Sequence, residues 1–201
     1  MRKIRGDTLI VGGRKYHYSH HAYLLTFQNE RAVEIPLAYE CLQEYQGKKI
    51  LEVGNVLSYY YPVYHDIVDK YETADWVINE DIVDFSSPHK YDLIICISTL
   101  EHIGWDAPEE KDETKTLRTV NKFRTLLGKG GTAVVTFPVG YNPYLDTLLK
   151  EGRIRFDETY GLKRISWDNR WVEVSIEEAM KMKYGYPFKA VNGLIIGKLR
   201  K

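Results

Sequence analysis

Two adjacent side chains able to do acid–base chemistry, Glu101 and His102, stand shortly after the most apolar run of the chain, beyond Ser98-Thr99-Leu100. An unperturbed imidazole titrates near pH ~6.5, so His102 is a candidate general base, with Glu101 placed to orient it or to bind a substrate. Three more carboxylates, Glu52, Asp69 and Asp81, stand at or just beyond the ends of short apolar runs, and Gly54 follows the first of them by two residues. Glycine lets a backbone approach a ligand where a Cβ would obstruct it. The dinucleotide fingerprint GxGxxG is missing, positions 54, 56 and 59 being Gly, Val and Tyr, and the phosphate loop GxxxxGK(S/T) is missing too. An acid at the end of a second strand accepts hydrogen bonds from ribose hydroxyls. The combination fits a nucleoside without phosphates. Taken singly, the same residues also serve as local structure: Glu52 as an acceptor for loop N–H groups, Asp69 as a helix N-cap, Asp81 as a turn residue, His102 as a hydrogen-bonded structural histidine.

The elements that must carry these residues alternate from Lys49 onward. Apolar runs at Ile50–Val53, Asp66–Val68, Val77-Ile78, Tyr91–Ile97 and 132–137 read as five strands, the fourth apolar enough to be buried on both faces. They end in Glu52-Val53-Gly54-Asn55, in Asp69, in Asp81, in Ser98 through His102, and in Pro138 through Asn142. In an open α/β sheet ligands bind beyond the carboxyl ends of the strands, so five polar endings on one rim favour a binding site there. Between the strands, Pro108 with acids at 109, 110, 112 and 113 predicts a helix start, and Leu117, Val120, Phe123 and Leu127 continue it at helical spacing. Asn142-Pro143 predicts another helix, ended by Gly152. The tail reads as antiparallel strands at 164–167 and 170–174, a helix capped by Ser175 with Glu178, and a last strand over 190–199. Upstream, Thr8–Val11 and 14–18 flank Gly12-Gly13 as a β-hairpin, residues 20–34 are irregular, and Pro36 opens a helix closed by Gly47. The expected architecture is one doubly wound α/β domain with a mixed sheet: residues 1–47 form a hairpin, lid and helix, and residues 48–201 form the core.

Composition narrows the class. The chain of 201 residues carries 28 basic and 28 acidic side chains, so its net charge is zero. Duplex-binding proteins usually show a basic excess, so nucleic acid is not expected as a partner. No apolar run is long enough to span a membrane, and no secretory leader is read at the N-terminus. With two cysteines, Cys41 and Cys96, and no CxxC spacing, neither a zinc site nor a disulfide framework is implied, and a cytoplasmic location is expected. His20-His21 lack nearby carboxylate or cysteine ligands at useful spacing, so no metal is expected. Tyrosine accounts for 16 residues, many in clusters such as Tyr59-Tyr60-Tyr61, and they either pack under loops or line a pocket for a polar ring.

The order and spacing of these motifs resemble class I S-adenosylmethionine-dependent methyltransferases over residues 49–142, with the tail matching their final antiparallel hairpin. ILEVGNVLS resembles the first motif, matching at Glu52 and Gly54 but with Val56 and Ser58 where glycines are usual. IVDKY resembles the second-strand motif, INEDIVDF the next, YDLIICISTLEHIGW the fourth-strand motif with its Glu-His pair, and LLGKGGTAVVTFP the fifth. The chain also resembles an uncharacterised group with an EVGNVLS loop and a tyrosine-rich N-terminal segment. The resemblance implies a doubly wound Rossmann-like mixed sheet and S-adenosyl-L-methionine as cofactor. It implies a cofactor set of Glu52, Gly54, Asn55, Asp69 on the ribose, Asp81 on the adenine amine, Ile82 beside the ring, and Ser98. His102 and Glu101 are the catalytic candidates, because transfer to a hydroxyl benefits from removing its proton, whereas an amine needs a neutral nitrogen held in line.

The expected acceptor is a small polar molecule or sugar, methylated on oxygen or nitrogen. Tyr59, Tyr141 and Arg31 are the candidate substrate contacts. The stretch Asn29-Glu30-Arg31 with Glu34 reads either as part of a substrate lid or as a solvated turn before a helix. Two rival functions stand beside this one. A non-catalytic binding module is motivated by the replaced glycines at 56 and 58. A nucleic-acid methyltransferase is disfavoured by charge and by the lack of a catalytic (N/D/S)PP(Y/F) motif.

Overall fold

The computed structural model describes residues 8–107 and 111–201. Its strands are β1 (Thr8–Val11), β2 (Arg14–His17), β3 (Ile50–Val53), β4 (Asp66–Val68), β5 (Tyr91–Ile97), β6 (Leu127–Pro138), β7 (Glu158–Arg164), β8 (Trp171–Val174) and β9 (Gly193–Arg200). The helices are α1 (Arg31–Glu44), α2 (Lys115–Leu126), α3 (Pro143–Lys150) and the short α4 (Ile176–Ala179). A seven-stranded sheet runs in the order β4-β3-β5-β6-β9-β7-β8, with β1 and β2 forming a separate hairpin. β4, β3, β5 and β6 are mutually parallel, and β9 joins them antiparallel between β6 and β7. This is the doubly wound mixed sheet expected, with an antiparallel finish.

Alternation along β5 makes the layers. Ile94 and Cys96 face a cluster with Val120, Phe123 and Leu126 of α2 and Leu145 and Leu148 of α3. Leu93, Ile95 and Ile97 face the opposite cluster, with Ala32, Val33, Ile35, Leu37 and Ala38 of α1. A strand buried on both faces needs apolar side chains at every position, which is why its buried stretch Leu93–Ile97 reads as a continuous run. The hairpin extends the second cluster through Leu9, Val11 and Tyr18, and the Tyr18 hydroxyl accepts the Trp171 N–H at 2.9 Å.

Several boundaries differ from the sequence expectation. α1 begins at Arg31, five residues before Pro36, which lies inside it. Proline lacks the N–H that would bond to the carbonyl four residues back. That carbonyl, on Ala32, instead accepts the Ser19 N–H at 2.8 Å, so the lid segment supplies the missing donor. The third strand shrinks to a single parallel bridge between Val68 and Ile78. The helix start proposed at Pro108, Glu109 and Glu110 lies outside the described residues. α2 itself begins at Lys115, because the Asp112 carboxylate takes the Thr114 N–H and hydroxyl and forms a local turn there. β6 starts at Leu127, earlier than expected, and the tail hairpin pairs Gly161–Arg164 with β8 in a register shifted toward the N-terminus. Asn142 caps α3 as its type predicts, accepting from Tyr144 and Leu145.

Candidate active site

The site grows from the loop after β3. Glu52 is fully buried, and one oxygen accepts the N–H groups of Val56 at 2.8 Å and Leu57 at 2.7 Å. Its other oxygen meets His65 Nε2 at 2.8 Å. The carboxylate therefore turns the backbone through positions 56–58 without glycines there, and a single 3-10 turn, Leu57–Tyr59, replaces a first helix. Gly54 is the position where glycine is required. Its φ is +84°, and a Cβ would lie 2.2 Å from Thr99 Oγ1.

Asp69 closes the loop from the other side. One oxygen accepts the Asn55 N–H at 2.9 Å, and the second accepts those of Tyr71 at 2.8 Å and Glu72 at 3.0 Å. Asp81 sits opposite, with Lys115 Nζ at 2.6 Å and Lys70 Nζ at 3.6 Å. Burial works to raise the Asp81 carboxyl, but Lys115, the Val83 N–H and Lys70 together hold it below its usual range.

A cavity of about 270 Å³ lies between these groups, lined by Gly54, Asp69, Asp81, Ile82 and His102 among others. Five of the sequence-derived candidates thus meet on one wall-to-wall space at the ends of β3, β4 and β5. Two lining residues that sequence reasoning missed are Lys70 and Lys115. Lys70 directly follows the expected ribose acid, but nothing in the sequence signals that Lys115 reaches Asp81.

At the rim, His102 Nδ1 lies 2.6 Å from Asp106 Oδ2, and its Nε2 lies 3.6 Å from Glu101 Oε1. The Tyr141 hydroxyl donates to the same Asp106 carboxylate, and its ring meets that of His102 edge-on at 4.9 Å. Burial and the Asp106 bond push the Tyr141 phenol up to about 12.

The remaining candidates lie away from the cavity wall. The Ser98 hydroxyl is turned to Glu34 Oε1 at 2.6 Å, and its backbone is held at a left-handed φ of +35°. Arg31 donates from one nitrogen to Glu34 and to the Ile97 carbonyl, each at 3.0 Å. Glu101 is buried beneath the rim. Asn55 contributes its N–H to Asp69 and accepts the Ser58 hydroxyl. Tyr59 is partly exposed, donates to Glu72 and stacks on Tyr23 at 4.8 Å. Tyr60 meets Thr26 Oγ1 at 2.9 Å, so the tyrosine cluster ties the loop to the lid segment. Among the described residues, no group of three or more histidine, cysteine or acidic side chains gathers as metal ligands would. No described helix is long and apolar enough to cross a membrane.

No family model and no curated protein matches the sequence. Among solved structures the chain is similar to the N-methyltransferase NodS from Bradyrhizobium japonicum WM9 in complex with S-adenosyl-L-homocysteine. The two are 14% identical over 86% of this chain and 87% of that one, with a TM-score of 0.51. It is also similar to the Burkholderia thailandensis 1,6-didemethyltoxoflavin-N1-methyltransferase, 12% identical over 98% of this chain and 99% of that one, with a TM-score of 0.47. The chain shares with NodS a Rossmann-like α/β fold built on a mixed sheet.

Proposed function

We infer that this chain is an S-adenosylmethionine-dependent methyltransferase acting on an oxygen or nitrogen of a small polar molecule or sugar. The observation that carries the reading is the single cavity in which Gly54, Asp69, Asp81, Ile82 and His102 meet at the ends of parallel strands. Those residues fit the cofactor. Gly54 gives a backbone without a Cβ at the wall, Asp69 presents a carboxylate for ribose hydroxyls, and Ile82 offers an apolar face for the adenine. Asp81 is the acceptor for the adenine amine, beside Lys115. The bound cofactor supplies a methyl group already activated by a sulfonium.

The chain's own contribution is positioning and proton handling. Asp106 fixes the imidazole of His102 through Nδ1 and leaves Nε2 for a proton from the acceptor. Tyr141 braces the same carboxylate. Glu52 acts one step back, holding the loop shape from beneath. That the loop is turned by a carboxylate instead of by glycines supports the likeness to the EVGNVLS-loop group and accounts for Val56 and Ser58.

The test is calorimetric titration with S-adenosylmethionine and S-adenosylhomocysteine, repeated on Asp69→Ala. Binding that weakens roughly 10- to 100-fold in the variant, the loss expected for hydrogen bonds to a charged group, supports the reading. No binding at millimolar ligand overturns it in favour of a non-catalytic module.

A further inference from the structure

Behind the His102 rim lies a second group of acids. Glu34 is fully buried, and its hydrogen bonds are satisfied: Ser98 and Thr136 donate hydroxyls to Oε1 at 2.6 Å each, and Arg31 donates to Oε2 at 3.0 Å. Arg31 is thereby engaged with Glu34 and with a backbone carbonyl. Glu30 and Glu101 differ. Glu101 is only 2% exposed, and its Oε2 has no hydrogen-bond partner among the described residues. The same holds for Glu30 Oε2. Buried polar atoms of folded proteins are almost always paired, so two orphan carboxylate oxygens in one neighbourhood call for a partner from outside.

The surroundings say what kind. Tyr184 is within the fields of Glu30, Glu101 and Asp106, which with burial push its phenol up. Its ring meets that of Tyr141 at 5.2 Å, and Tyr141 meets His102 at 4.9 Å. Aromatic rings with carboxylates behind them favour a cation, which draws on ring quadrupole and charge together. Asp106 and His102 line the cofactor cavity and also meet Tyr141, so these groups adjoin that cavity.

We propose that the acceptor is an amine, bound as a cation by the orphan carboxyl groups of Glu30 and Glu101 beside the paired rings of Tyr141 and Tyr184. This deepens the methyltransferase reading and rests on it. Burial and the nearby Glu34 charge push Glu30 up to about 7 and Glu101 well above the usual carboxyl range, so both hold a proton readily. At a pH high enough to ionise Glu101, one proton passes from the ammonium nitrogen to its carboxylate. The nitrogen keeps its lone pair for reaction, and the positive charge and one negative charge disappear together. A hydroxyl acceptor gives these carboxyl groups nothing to neutralise.

The experiment uses the full chain and matched pairs differing only at the reacting group: glucosamine with glucose, putrescine with 1,4-butanediol, and 2-phenylethylamine with 2-phenylethanol. Binding is followed by calorimetry with and without saturating S-adenosylhomocysteine. At least one amine is expected to bind tenfold or more tightly than its hydroxyl twin, and Glu101→Gln and Glu30→Gln are each expected to weaken it about 10-fold or more. Both substitutions keep side-chain size, and retained S-adenosylhomocysteine binding reports that the fold is intact. Equal binding of the twins, no binding by any amine, or full affinity in both variants overturns the proposal. Cofactor-analogue binding without amine binding removes the amine and leaves the methyltransferase reading. Amine binding without cofactor-analogue binding does the reverse.

Discussion

The acids of the cofactor rim and the two glutamates behind it are built on opposite plans. Glu52 engages two backbone N–H groups and His65, Asp69 engages backbone N–H groups with both oxygens, and Asp81 lies against a lysine ammonium. Glu101 is buried and Glu30 half-buried, and each keeps one buried oxygen without a hydrogen-bond partner among the described residues. The first plan fixes a loop and makes a rigid wall. The second leaves free energy unrealised in the free protein, to be recovered when a cation enters. The contrast separates groups that shape a site from groups that wait for a ligand.

The sharpest way to break the rim is Gly54→Ala. The added Cβ meets Thr99 at 2.2 Å and sits at a φ of +84°. The combined strain and crowding cost about 2–5 kcal/mol, and urea unfolding together with loss of S-adenosylhomocysteine binding checks it. Unchanged stability with intact binding removes Gly54 from the wall.

The two glutamates behind the rim make stability depend on pH. Glu30 titrates near 4.5 when unfolded and is pushed to about 7 when folded. The folded state holds the proton through that window and the unfolded state does not, so stability falls as pH rises from about 4.5 to about 7. Glutamine avoids that loss. Glu30→Gln and Glu101→Gln are therefore expected to melt at least about 2 °C above the parent at pH 8, with the gap closing at pH 5. Variants that are less stable at pH 8 assign these carboxylates to holding the fold. Gain of stability with loss of amine binding is the signature of groups kept for a ligand.

The smallest effect is at Asp81. Lys115→Met frees its carboxylate from an ion pair, and S-adenosylhomocysteine affinity is expected to rise about threefold, within the range of a partly exposed pair. A fall instead assigns Lys115 a direct contact with the ligand.

Much of the architecture was legible because the central strands write their burial into consecutive residues. Tyr91–Ile97, Ile50–Val53 and Asp66–Val68 stand as read. The start of α1 was not, since proline commonly opens helices and the Ser19 N–H that excuses Pro36 is distant in sequence. Val77-Ile78 looked like its neighbours, yet only one bridge forms there. Gly54, Asp69 and Asp81 were legible as strand endings. Ser98 and Arg31 were legible as polar groups near the site, but their partner, Glu34, comes from another element. A glutamate beside an arginine before a helix reads as solvated surface. That Glu30 is walled in depends on the packing of the lid, which no local pattern encodes.

The place of β9 in the sheet bears on how the molecule is made. It follows every other strand in the chain and pairs with β6 on one side and β7 on the other, so the β7–β8 hairpin has no seat on the parallel half until β9 arrives. A nascent polypeptide can assemble β3 to β6 with its cavity wall while still on the ribosome. The sheet is sealed only when residues 193–200 emerge. Until then the flank of β6 is an open strand edge, the state in which this chain is most prone to pair with another copy of itself.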